Sequence, residues 1–79
     1  MQIKLKILGQ ERIILEQGSD FVRLETIGGS IGVLPGHAPL AANLVKSLVQ
    51  YKSGDSQESI EINGGLAKVS QDSVTVFAL

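Results

Sequence analysis

The chain is 79 residues long, with no cysteine, one histidine, and seven Lys+Arg against eight Asp+Glu for a formal net charge of −1. That length makes one domain, residues 1–79, small enough to bury only about 60% of its unfolded surface and with neither disulfides nor thiolate ligands to reinforce it. The charge balance argues against phosphate-driven nucleic-acid binding; no apolar run approaches the ~20 residues of a membrane helix, so a soluble protein is expected, linked to any membrane through a partner.

The dominant hydrophobic period is two, the period of a half-buried strand. Ile3, Leu5 and Ile7 alternate with Gln2, Lys4 and Lys6, a pattern unlike a signal peptide. Gly9-Gln10 breaks this strand, and Arg12 to Glu16 forms a second apolar-rich run. After the turn at Gly18-Ser19-Asp20, alternation resumes from Phe21 to Ile27, although Phe21 falls on the side of Arg23 and Glu25. Gly28-Gly29 turns the chain into a short strand, Ile31 to Leu34, which Pro35-Gly36 ends in a type II turn.

Pro39 forbids a helix running from that strand into Ala38–Tyr51, which reads as a loop followed by a strand around Ser47 to Lys52. Ser53-Gly54-Asp55-Ser56 is a hairpin turn, Ser59–Ile62 a strand, Asn63-Gly64-Gly65 a turn and Leu66–Val69 a strand. A turn at Gln71-Asp72 leads to the last strand, Ser73 to Leu79. Short strands with turn signals at close intervals predict an antiparallel sandwich or barrel. The core is expected from Ile3, Leu5, Ile7, Leu24, Val33, Leu34, Ile60, Ile62, Leu66, Val69, Val74 and Val76.

No catalytic set is visible. His37 is flanked by Pro35, Gly36, Ala38 and Pro39, which supply neither a nucleophile nor an orienting acid; a turn-capping or partner-contact role suits it better. Gly28-Gly29-Ser30-Ile31-Gly32 lacks the lysine and following helix of a phosphate loop, so its glycines are assigned to turns. Glu58 and Glu61, three apart, point to opposite faces of a strand and are expected to be solvated.

Two segments are more specific than turn chemistry requires. Ile31-Gly32-Val33-Leu34-Pro35-Gly36-His37-Ala38-Pro39-Leu40 resembles the signature of the epsilon subunit of F-type ATP synthases, called delta in mitochondria. Downstream, Gly64-Gly65-Leu66-Ala67-Lys68-Val69 and Val74-Thr75-Val76-Phe77-Ala78 are similar to a second family pattern, in register with the first. The opening strand and the Glu16…Asp20 spacing also agree, so the resemblance covers nearly the whole chain.

The resemblance implies an all-β fold, a flattened antiparallel β-sandwich of about ten short strands. It implies a non-catalytic central-stalk subunit that couples the gamma subunit to the loops of the c ring for gradient-driven ATP synthesis. No catalytic residue, cofactor or metal is implied. The partner interface by resemblance is Ser30, Ile31, Gly32, Val33, Leu34, Pro35, Gly36 and His37. The expected location is peripheral, on the cytoplasmic face of a bacterial inner membrane. Three departures stand out: Ser30 occupies a place often acidic in the family, Val45-Lys46-Ser47 replaces a glycine-containing turn, and the sequence stops at Leu79. The last implies that the family's inhibitory helical hairpin is absent, whether the short form is natural or trimmed from a longer subunit. The competing readings are a free-standing protein-binding sandwich and a small hydrolase built on His37.

Overall fold

The computed structural model describes residues 2–79, and these form seven strands and no helix. The strands are β1 (Ile3–Leu8), β2 (Ile13–Ser19), β3 (Phe21–Thr26), β4 (Gly29–Val33), β5 (Leu40–Ser53), β6 (Ser56–Val69) and β7 (Ser73–Ala78). They join in one sheet, in the order β2-β1-β7-β6-β5-β3-β4. Every neighbouring pair is antiparallel except β1 and β7, which run parallel. The all-β expectation holds, with fewer and longer strands than the turn signals suggested.

The difference lies in β5 and β6. Each is 14 residues long, which at ~3.3 Å per residue would reach about 43 Å if straight. The whole molecule measures 29 × 24 × 18 Å, so both strands bend. The inward residues of β5 are Leu40, Ala42 and Leu44, then Val49 and Tyr51; those of β6 are Ile60 and Ile62, then Ala67 and Val69. Alternation slips by one residue in both strands at the same level, where Leu44–Lys46 faces Asn63–Gly65. The β5–β6 register is unbroken across this level, so the slip is a bend shared by both strands rather than a bulge between them.

The bend folds the sheet into two layers. One holds β2, β1, β7, the end of β6 and the start of β5; the other holds β4, β3, the end of β5 and the start of β6. A single core gathers Leu5, Ile7, Val74 and Val76 from the first layer with Val22, Leu24 and Val33 from the second. Strands so far apart in the sheet order can share a core only if the sheet closes over itself.

Asn63-Gly64-Gly65 is therefore not a chain reversal, as its composition suggested, but the bend itself. Gly65 sits at φ +145°, and a Cβ there would run into the backbone carbonyl oxygen of Phe77 on β7. Only glycine lets β6 lie this close to β7 while taking that backbone angle. Likewise the expected loop after Ala38 is strand from Leu40 onward, since the start of β5 pairs with the end of β6.

The core differs from expectation at three positions. Leu34 and Leu66 are exposed rather than buried, and Ile60 is only partly buried against the core. Leu34 lies just past the end of β4, where the inward/outward alternation no longer applies. Leu66 follows the glycine bend, which turns Ala67 and Val69 inward and Leu66 out. Val22, Leu44, Val49, Tyr51, Ala67 and Ala78 complete the core. Asp20 fixes the crossing between layers: its N–H donates to the Lys52 carbonyl at 2.7 Å, and its Oδ2 accepts from the Gly54 N–H at 2.7 Å.

Candidate partner-binding site

The segment from Ser30 to His37 begins on β4, the edge strand of its layer, and runs through the turn that follows. Alternation along β4 divides it: Ile31 and Val33 face the core, whereas Ser30 and Gly32 face outward. Past the strand, the His37 N–H donates to the Leu34 carbonyl at 3.1 Å, closing the turn Leu34-Pro35-Gly36-His37. Pro35 fixes one central φ and Gly36 supplies the positive one, +88°, as a type II turn demands. The Gly36 N–H also donates to the Gln71 carbonyl at 2.7 Å, tying the turn to the β6–β7 connection.

This pinned turn presents Leu34, 59% exposed. His37 is half-buried, and its Nδ1 lies 2.7 Å from the Ala38 carbonyl oxygen. A carbonyl only accepts, so Nδ1 carries the proton and the ring is held by its own backbone. The hydrogen bonds of His37 are thus those of a turn residue, and its Nδ1 has no Ser or Asp partner.

Ser30 is less isolated than its sequence context suggested. It lies directly across from Glu25 on β3. Arg23 Nη1 donates to Ser30 Oγ at 3.2 Å, and Ser30 Oγ donates to Glu25 Oε2 at 3.0 Å. Phe21, on the same outward face, packs over Gly32, where an added Cβ would come within 2.9 Å of its ring. The Arg23 guanidinium lies 6.0 Å from the Phe21 ring centroid. Phe21, Arg23, Glu25 and Leu34 therefore line one open depression with Gln50 and Lys52. The first three were missed as site residues, although a signal was present: Phe21 breaks the β3 alternation by falling on the charged side.

The depression is open to solvent and mixes a few apolar side chains with both signs of charge. Those properties fit contact with a protein surface better than enclosure of a substrate. Among the described residues, no group of three or more His, Cys, Asp or Glu is placed to hold a metal ion.

Comparison with known proteins bears on this geometry. Residues 2–79 match the family model for the ATP synthase delta/epsilon chain β-sandwich domain. The chain belongs to that family. Its relatives include the ATP synthase epsilon chain of Ruminococcus albus, 40% identical over 75 residues, and that of Alkalihalophilus pseudofirmus, 33% identical over 76. These alignments cover 94% and 96% of the chain but 56% and 57% of the relatives, so this delta/epsilon sandwich spans little more than half their length. In three dimensions it matches a chain of the Euglena gracilis mitochondrial ATP synthase, in a structure of OSCP, F1 and c-ring, with TM-score 0.91 and 26% identity. That match covers 98% of this chain and 50% of the other. All ten residues of the Ile31–Leu40 motif lie inside the family match.

Proposed function

We propose that this delta/epsilon sandwich is a central-stalk subunit of a rotary ATP synthase, seated between a gamma-type subunit and the polar loops of a c ring. In this role it carries no catalytic group; it transmits torque by being rigid and firmly docked. The Ser30–His37 segment is the seat toward those partners, and the complex as a whole keeps the subunit peripheral on the cytoplasmic side of a bacterial membrane.

The observation that carries the reading is Leu34: a 59% exposed leucine held out on a proline–glycine turn that is hydrogen-bonded to a second loop. A side chain presented by pre-ordered backbone loses less freedom on docking than one on a floppy loop, where each immobilised residue costs ~0.5–1.5 kcal/mol. Phe21, which lines the same depression, extends that surface.

Reconstitution with the gamma subunit and c ring of the same synthase tests the proposal. Leu34→Ser and His37→Ala are expected to lower the bound fraction and coupled ATP synthesis while leaving the circular dichroism of the free chain unchanged. Assembly and coupling equal to the parent would reduce the segment to a structural turn.

A further inference from the structure

The Leu34-Pro35-Gly36-His37 turn rests on the β6–β7 connection, and that connection is an uncommon hairpin loop. β6 and β7 pair through Val69 and Val74, so Ser70 faces Ser73 and only Gln71 and Asp72 lie between them. Two-residue hairpin loops favour positive φ at one or both central residues, because such turns follow the twist of the strands. Neither Gln71 nor Asp72 has a positive φ. Another device must keep these strand ends together.

Two serines supply it. The Ser70 N–H donates to the Ser73 carbonyl at 2.8 Å, and the two hydroxyl oxygens lie 2.6 Å apart. A hydroxyl has one proton and two lone pairs. Donation from Ser73 Oγ to Ser70 Oγ leaves the Ser70 proton for the Ser73 carbonyl oxygen at 3.4 Å or for Asp72 Oδ1 at 3.5 Å, the direction that satisfies the most groups. Both serines are half-buried. With the loop closed, its two central carbonyls serve separate segments. That of Gln71 accepts from the Gly36 N–H at 2.7 Å, and that of Asp72 accepts from the Lys4 N–H at 2.8 Å. Gly36, Pro39, Ser70, Gln71 and Asp72 line the groove along this junction.

We infer that the Ser70–Ser73 hydroxyl pair is a positioning device for the Leu34 turn: it sets the loop so that the Gln71 carbonyl holds Gly36, and through Gly36 the exposed Leu34. The use of the device rests on the reading of Ser30–His37 as a partner seat; the clamp itself does not. The Leu34 turn follows β4, in one layer, and Lys4 lies on β1, in the other. One loop thus fixes the turn relative to both layers. Without the hydroxyl pair the Gly36 N–H would still find water, so the turn would persist but move. A moving turn has more freedom to lose on docking than a held one.

Hydrogen exchange of the backbone amides in the 15N-labelled 79-residue chain tests the clamp. In the double variant Ser70→Ala/Ser73→Ala, the Gly36 amide should exchange about five-fold faster, as expected for the loss of one hydrogen bond. Amides of the β3–β5 ladder should keep their parent rates. Ser73→Thr, which retains a hydroxyl on a residue suited to a strand, should restore parent protection at Gly36. Binding to the gamma subunit and c ring should weaken in the double variant although Leu34 and His37 are untouched. Parent-like Gly36 exchange in the double variant, or an equal acceleration across the β3–β5 ladder, would overturn the positioning role. Faster Gly36 exchange with undiminished binding would instead overturn the Ser30–His37 seat and leave the clamp standing.

Discussion

Replacing Gly65 by alanine isolates what holds the bend of the β5–β6 hairpin. At φ +145° an L-residue is strained, a penalty of about 1–3 kcal/mol. The new methyl would also meet the Phe77 carbonyl oxygen, a backbone atom anchored in the β6–β7 ladder, and relieving that overlap costs about 1–3 kcal/mol more. The total, about 2–6 kcal/mol, is a large share of the ~4–12 kcal/mol typical for a domain this size. Gly36→Ala serves as the control: its φ of +88° is also strained, but an added Cβ there meets nothing within 4 Å. Urea unfolding followed by far-ultraviolet circular dichroism measures both. With a slope of about 1 kcal/mol per molar urea, the Gly65→Ala midpoint should fall below that of Gly36→Ala by about 1–3 M. Coincident midpoints would mean that β7 moves aside freely, and the account of the bend would be wrong.

Leu5→Ala should cost about 2–5 kcal/mol, since Leu5 is fully buried in the core; Leu66→Ala, on an exposed side chain, should stay within about 0.5 kcal/mol. The same unfolding curves check both, and equal losses would contradict the inward and outward assignment after the bend. Tyr51 gives a pH prediction: burial first, then the adjacent Glu58 charge and its 3.4 Å hydrogen bond, raise the phenol above its ordinary value of 10.0. The folded chain then holds the proton more tightly than the unfolded chain. Its contribution is complete below pH ~10 and is lost as pH rises through the folded-state value. Ultraviolet titration of this single tyrosine should show a raised midpoint and alkaline destabilisation that Tyr51→Phe removes.

Period-two alternation located β1, β3 and β7 and most of the core, because their inward residues alternate without interruption. It failed where a residue's position relative to a bend mattered. Leu66 looks like a core residue by composition, yet the slip at Gly64-Gly65 reverses the faces beyond it, and glycine pairs in sequence signal a tight backbone without saying whether the chain reverses or bends. Leu34 failed for a related reason: one residue past a strand, alternation has no hold. At the candidate site, the Leu-Pro-Gly-His turn was legible from proline and glycine chemistry alone. The Arg23–Ser30–Glu25 hydrogen bonds were not, because they depend on the β3–β4 register, which pairs Glu25 with Ser30.

The parallel pairing of β1 with β7 also shapes how the chain can come together. β7 is the last of these seven strands in chain order, yet it lies between β1 and β6, inside its layer. Until Ser73–Ala78 emerge during synthesis, β1 and β6 each keep an unpaired backbone edge on that side, a ready template for mispairing. The β3–β4 and β5–β6 hairpins close locally and can form early; joining the first strand to the last must bridge nearly the full chain, which makes it the slow, entropically expensive step. A ribosome paused before the six residues of β7 would therefore hold one formed layer and one missing its central strand.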